Sequence, residues 1–310
     1  MWMLRLYQSI EPTMSEPTLN YVNCPDAQGS HRMAYWAWGN PHAEHVVLCV
    51  HGLSRQGRDF DVLAQALIAQ SPDLKVVCPD VVGRGQSDYL VDPAGYQIPT
   101  YAADMLALLA QLKPQTLDWV GTSMGGLIGL VISGQSELPL STPVRRLVLN
   151  DVGPVIEWQA LQRIGEYLGR PITFASVREA ADFLWAISTS FGPHTPGAWL
   201  ALSRHMVKPT DALGGSFGLH YDPAIAVPFR GMTPEAALQG EALLWHLFDA
   251  VTATTLLTRG AQSDLLSSET AHAMTQRGPK ARLVEFAGVG HAPTFVAADQ
   301  VQAVASFLLD

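Results

Sequence analysis

Four short runs rich in valine and leucine constrain the fold of this chain more than any other feature: VVLCV at 46–50, KVVC at 75–78, LDWVG at 117–121 and RLVLN at 146–150. Each is bounded by Gly, Pro or Asp, and amphipathic stretches near 59–70, 100–112 and 124–135 lie between them. Strands that are apolar on both faces belong in a parallel sheet covered by helices on either side. Right-handed crossovers then bring the C-terminal ends of the strands to one edge, where open α/β sheets bind their ligands. A half-buried strand is expected earlier, where HRMAYWAW at 31–38 alternates in character. The fold class read from this pattern is α/β, a mostly parallel sheet with helices on both faces.

The alternation breaks between about 155 and 250, a stretch of helical character that holds Trp158, Phe183, Trp185, Trp199 and Trp245. It resumes with ATTLLTRG at 253–260, a helix over 267–277, ARLVEFAG at 281–288 and a final helix. The simplest organisation is a core formed by 18–154 and 251–310, interrupted by a helical cap at 155–250. Aromatics at helical spacing read first as core, and Trp158 and Trp185 are also candidates for a pocket wall.

The 310 residues suffice for one large α/β domain with an insertion. Hydrophobic residues make up 48% and charged residues 15%, the balance of a globular chain. A net charge of -9 without a basic stretch disfavours nucleic acid and anionic membranes as partners. The three cysteines, Cys24, Cys49 and Cys78, form no metal spacing, and two sit in apolar runs as reduced thiols would. At the N-terminus, Arg5 and Glu11 interrupt a short apolar run with no small-residue cleavage site, so 1–17 reads as a flexible leader and Met14 as an alternative start. No run is long enough to span a bilayer. The expectation is a cytoplasmic, soluble protein acting on a small molecule, with monomer and homodimer both open.

GTSMGG at 121–126 lies between the strand LDWV and the helical run LIGLVIS. So tight a strand-to-helix turn strains its central residue and requires small neighbours, here Gly121 and Gly125, while it lifts the Ser123 hydroxyl above the sheet edge. A nucleophilic serine needs a base, and His291 in GVGHAP follows the last strand at that same edge. A carboxylate must then fix the imidazole. Asp264, after TLLT, is preferred because the Ser–Asp–His chain order puts its loop beside that of His291; Asp151, which ends RLVLN directly, is the alternative. The N–H groups of Leu53, in HGLSRQGRDF, and of Met124 can form a two-donor oxyanion hole. His51 reads as a loop-holding histidine. Arg55 reads as a loop ion pair or as a partner for a substrate carboxylate. PDVVGRGQSD at 79–88 reads as a tight structural loop.

The HG oxyanion loop, the DxxGxGxS loop, the GTSMGG elbow, the late Asp and the final GxGH together resemble the α/β-hydrolase superfamily, in that family's order and through most of the chain. The resemblance implies Ser123, Asp264 and His291 as triad, Leu53 and Met124 as oxyanion donors, and an inserted lid. It implies a serine hydrolase that works through an acyl-enzyme and needs neither metal nor organic cofactor, and the apolar, aromatic cap suits a small or medium carboxylic ester or lactone. Carbon–carbon bond hydrolases, cofactor-free perhydrolases, acyltransferases and aminopeptidases share the triad, and a ligand-binding receptor on the same scaffold is the alternative outside enzymology.

Overall fold

A computed structural model describes residues 16–210 and 215–310. The core is an eight-stranded sheet in the order β1-β2-β4-β3-β5-β6-β10-β11. Its strands are β1 (Thr18–Asp26), β2 (Gly29–Gly39), β3 (His45–Val50), β4 (Lys75–Pro79), β5 (Thr116–Thr122), β6 (Val144–Asn150), β10 (Thr254–Gly260) and β11 (Arg282–Phe286). β2 runs antiparallel to both of its neighbours, and every other pairing is parallel. The strand expected from HRMAYWAW is β2, but it is largely buried on both faces over Met33–Trp38 rather than half-buried, because β1 covers its outer edge and both sheet faces are packed. The edge strand β1 is the more exposed of the two.

The strands β3 to β6 are apolar through most of their length because each face meets helices. On one face Val46, Leu48 and Val50 of β3 pack with Trp119 of β5, under α2 (Ile98–Leu112) and α3 (Met124–Gly134). On the other, Val47 and Cys49 pack with Val120 and Val148 under α1 (Asp61–Gln70) and α10 (Ala298–Leu309). α9 (Ser268–Met274) completes the crossover between β10 and β11. This double burial, with side chains alternating between two apolar layers, is the main stabilising term of the fold.

The region between β6 and β10 contains α4 (Trp158–Tyr167), β7 (Thr173–Phe174), α5 (Val177–Ile187), α6 (Pro196–Ser203), β8 (Val207–Pro209), β9 (Phe217–Leu219), α7 (Val227–Arg230) and α8 (Pro234–Ala250). Ser176, Thr195 and Thr233 cap α5, α6 and α8 through their hydroxyl oxygens. The region departs from the expected all-helical insertion in two ways. β7, β9 and β8 form a second, antiparallel sheet, built from segments of two or three residues that carry too little alternation to be read in advance. α8 belongs to the covering layer of the main sheet: a Cβ on Gly134 of α3 would lie 2.3 Å from the Leu247 carbonyl oxygen, so glycine lets the two helices close together. The leader assigned to 1–17 falls outside the described residues apart from Glu16 and Pro17; Glu16 faces Arg58 at 3.4 Å.

Candidate active site

Four loops that leave the C-terminal ends of β3, β5, β6 and β11 converge on one edge. Ser123, between β5 and α3, has φ 51° and ψ −116°, a left-handed strained backbone for a residue with a side chain. The turn closes only because of its glycines. A Cβ on Gly121 would lie 2.3 Å from the Gly125 carbonyl oxygen, and one on Gly125 would lie 2.0 Å from that of Val50. The Ser123 carbonyl accepts from the N–H groups of Gly126 and Leu127, which starts α3 immediately beyond the serine.

Ser123 Oγ donates to His291 Nε2 at 3.1 Å, and His291 Nδ1 donates to Asp151 Oδ2 at 2.7 Å. Asp151 is fully buried and also has a positive φ, 55°. Its other oxygen accepts from the Gly260 N–H at 2.8 Å. Asp264, the carboxylate preferred from the sequence, is corrected by this geometry. It is half-exposed and pairs with Arg163 of α4, while Asp151 occupies the place beside His291. Burial pushes the Asp264 carboxyl up, but the hydrogen bond and charge of the Arg163 guanidinium outweigh it and hold the carboxyl below the usual range. The chain order Ser–Asp–His is satisfied by both aspartates and therefore does not discriminate between them.

Asn150, which the sequence reading did not single out, ties the site together. Its carbonyl accepts from the Ser123 N–H at 3.0 Å, its amide donates to Thr122 Oγ1 at 3.0 Å and to the Pro293 carbonyl at 2.8 Å, and its Oδ1 accepts from Thr258 at 2.8 Å. One side chain thus links β5, β6, β10 and the His291 loop. The only available signal was its place as the last polar residue of an apolar strand.

The loop after β3 stands against the serine: a Cβ on Gly52 would lie 3.7 Å from Ser123 Cβ. His51 anchors this loop, with Nε2 accepting from the Val81 N–H at 2.9 Å and Nδ1 donating to the Gly52 carbonyl at 2.7 Å. Burial pushes His51 down to about 3, so it stays neutral. The buried Arg84 braces the same loop from beneath, donating to the Leu53 carbonyl at 2.8 Å and lying 3.7 Å from Met124 Sδ. Met124 opens α3, where the first N–H groups of a helix have no partner within it. Leu53 and Met124 therefore lie on the two segments that flank Ser123.

Arg55 is held in a fork by Asp59, at 2.6 and 2.7 Å, and stands over the Phe191 ring. It borders a cavity of about 40 Å³ that reaches Thr122, next to the serine, and Pro293 and Thr294, next to the histidine loop. A larger cavity of about 250 Å³ lies within the insertion, between Trp185, His194 and Trp199, and includes none of Ser123, Asp151 and His291. Trp185 lines that second space, and Trp158 lines neither. The insertion is fastened to the histidine loop: Ser190 Oγ donates to the His291 carbonyl at 2.9 Å, and His194 Nε2 meets Thr294 Oγ1 at 2.8 Å.

Among the described residues one trio, Cys24, His31 and Asp104, brings metal-type ligands together away from this edge. The His31 ring there lies between Asp26, at 2.8 Å, and Asp104, at 3.2 Å, an arrangement that an imidazolium shared by two carboxylates explains.

A strained serine after β5, a histidine after the last strand and a buried aspartate at one sheet edge define a hydrolase of α/β architecture. The model of the alpha/beta hydrolase family matches residues 47–306, and the chain belongs to that family. It is 50% identical over 294 residues to the 3-hydroxybutyrate-oligomer hydrolase of Cupriavidus necator, an alignment that covers 94% of this chain and 98% of the relative. Among solved structures, an alpha/beta hydrolase from Novosphingobium aromaticivorans is 34% identical, with a TM-score of 0.81 over 95% of this chain and 99% of the other. A hydrolase-like protein from Rickettsia typhi is 25% identical, with a TM-score of 0.82 over 95% and 99%. The chain is thus an enzyme of the hydrolase class. No helix among the described residues is long and apolar enough to cross a membrane.

Proposed function

We propose that this protein cleaves the ester bonds of short hydroxy-acid oligomers, of the 3-hydroxybutyrate kind, through an acyl-enzyme. The observation that carries the chemistry is the hydrogen-bonded series from Asp151 to His291 to Ser123, at 2.7 and 3.1 Å. Relatedness to the Cupriavidus necator oligomer hydrolase along nearly the whole chain supports the substrate class.

In this reading His291 Nε2 takes the Ser123 proton as Oγ attacks the ester carbonyl. Asp151 holds Nδ1–H and stabilises the imidazolium without itself becoming protonated. The N–H groups of Leu53 and Met124 receive the oxyanion, and the loss of either donor is expected to cost about 3 kcal/mol. His291 then gives its proton to the departing alkoxide oxygen, which leaves as a hydroxyl, and water, activated by the same imidazole, attacks the acyl-enzyme and releases the acid. The insertion is a cap in this scheme, with its Ser190 turn above the histidine loop. The three buried, free cysteines suit a reducing, cytoplasmic setting.

The test is incubation of the purified protein with the dimer and trimer of 3-hydroxybutyrate and with a short-chain chromogenic ester, beside Ser123→Ala. Release of 3-hydroxybutyrate by the unmutated chain alone is the expected result. Turnover of the chromogenic ester without the oligomers would refute the substrate class, and turnover by Ser123→Ala would refute the nucleophile.

A further inference from the structure

We propose that Ser263 is a positioning residue of this hydrolase, fixing the Asp151 carboxylate and setting how tightly His291 holds its proton; the proposal rests on the Ser123–His291–Asp151 reading above. Ser263 lies in the loop after β10, one place before the aspartate favoured by the sequence. Its Oγ is 2.5 Å from Asp151 Oδ2, the same oxygen that accepts from His291 Nδ1 at 2.7 Å.

The direction of that bond follows from the other partners. Ser263 Oγ accepts from the N–H groups of Leu265, at 3.3 Å, and Leu266, at 3.2 Å. A hydroxyl has one proton to donate and two lone pairs, so with both lone pairs engaged its proton points at Asp151. Asp151 therefore receives three donors: the Gly260 N–H, the Ser263 O–H and the His291 N–H.

Two consequences follow. The hydroxyl fixes the rotation of the carboxylate so that Oδ2 stays on the line to His291. It also draws charge from Oδ2, which weakens the attraction between Asp151 and a protonated His291. Without the hydroxyl, the carboxylate would face the imidazolium with its charge undiminished, and His291 would stay protonated, and unable to accept the serine proton, up to a higher pH.

The experiment measures two rates across pH 5–9 for the unmutated chain, Ser263→Ala, Ser263→Thr and Ser263→Cys: kcat and KM on a short-chain chromogenic ester, and the rate of labelling by a fluorophosphonate. Ser263→Ala is expected to lower kcat by about tenfold with KM nearly unchanged. The acid limb of both profiles should move to higher pH by about half a unit to one unit. Ser263→Thr should restore the unmutated profile, and Ser263→Cys, a weaker donor of similar shape, should fall between. An acid limb in Ser263→Ala that coincides with the unmutated one would overturn the proposal, because mere loosening of the turn at Leu265 and Leu266 does not move it. A Ser263→Thr variant as impaired as Ser263→Ala would do the same. Should Ser263→Ala fail to fold, the Thr and Cys profiles decide between the same outcomes. Labelling reads serine activation without the natural substrate, so it separates this proposal from the substrate class. Undiminished labelling of Asp151→Asn would remove the triad reading and this proposal with it.

Discussion

His291 holds Nδ1 2.7 Å from Asp151, at the end of β6, while Asp264, on the loop after β10, faces away toward Arg163. Replacing Asp151 by asparagine keeps the volume but frees the imidazole to adopt the wrong tautomer. We expect Asp151→Asn to lose about 10⁴ in kcat. Asp264→Asn removes only an exposed ion pair of the sort that contributes about 0–1 kcal/mol, so its kcat should stay close to that of the unmutated chain. Steady-state rates on one chromogenic ester compare the two variants, and equal losses would refute the assignment.

The elbow gives a second expectation. A methyl on Gly125 would be driven to 2.0 Å from the Val50 carbonyl oxygen, which is backbone of a central strand and cannot swing aside. Gly125→Ala should therefore destabilise the fold by about 1–3 kcal/mol or more and displace Ser123. Gly240, in α8, has open space at its Cβ position, so Gly240→Ala should leave melting temperature and labelling unimpaired. Thermal unfolding and fluorophosphonate labelling of both variants test the contrast.

The sheet, the elbow and the histidine loop were legible because each depends on local chemistry: doubly buried strands read as Val/Leu runs, and the strained turn demands glycines at fixed offsets. The carboxylate was not. Asp151 and Asp264 both follow apolar strands and both precede His291, and the choice depends on which loop is pulled outward. Arg163, a residue of α4 that packs beside the β10 loop only in three dimensions, captures Asp264. Asp151 carried one local sign, since aspartate tolerates the positive φ needed where a strand stops abruptly and a side chain turns inward. The small sheet of β7, β8 and β9 is set by tertiary pairing of segments too short to show a period, and Asn150 owes its importance to bonds with residues up to 143 positions away.

His51 provides a prediction about stability without titration. Its ring bridges the Val81 N–H and the Gly52 carbonyl and is kept neutral by burial, reinforced by the nearby Arg84 and Arg55 charges. His51→Leu leaves a buried N–H without an acceptor, at a cost of about 1–3 kcal/mol, and loosens the loop that carries Leu53. A lower urea midpoint and a lower kcat are expected, with the acid limb of the pH–rate profile unmoved. That limb should shift in Ser263→Ala, so the two variants separate loop support from control of His291. A shifted limb in His51→Leu would mean that His51 titrates in the working range.

The hairpin edge of the sheet gives the fold its own pH dependence. Burial opposes a charge on His31, but hydrogen bonds and attraction from Asp104 and Asp26 prevail and raise it to about 9 from its ordinary 6.5. A histidine whose folded value lies above its unfolded value takes up its proton more readily in the native state. Its contribution is therefore complete below about 6.5 and is lost as pH rises through about 9. The melting temperature should fall by a few degrees across that window, on the order expected for a chain of this size. In His31→Gln the same interval should be flatter, with a lower melting temperature at pH 6 and a smaller difference from the unmutated chain at pH 9.5. Catalysis should be unaffected by the substitution while the chain is folded, since this cluster ties β1, β2 and α2 rather than the strand ends that carry Ser123, Asp151 and His291. Thermal melts of both chains from pH 6 to 9.5 provide the comparison, and parallel curves would show that the His31 proton does not contribute to folding.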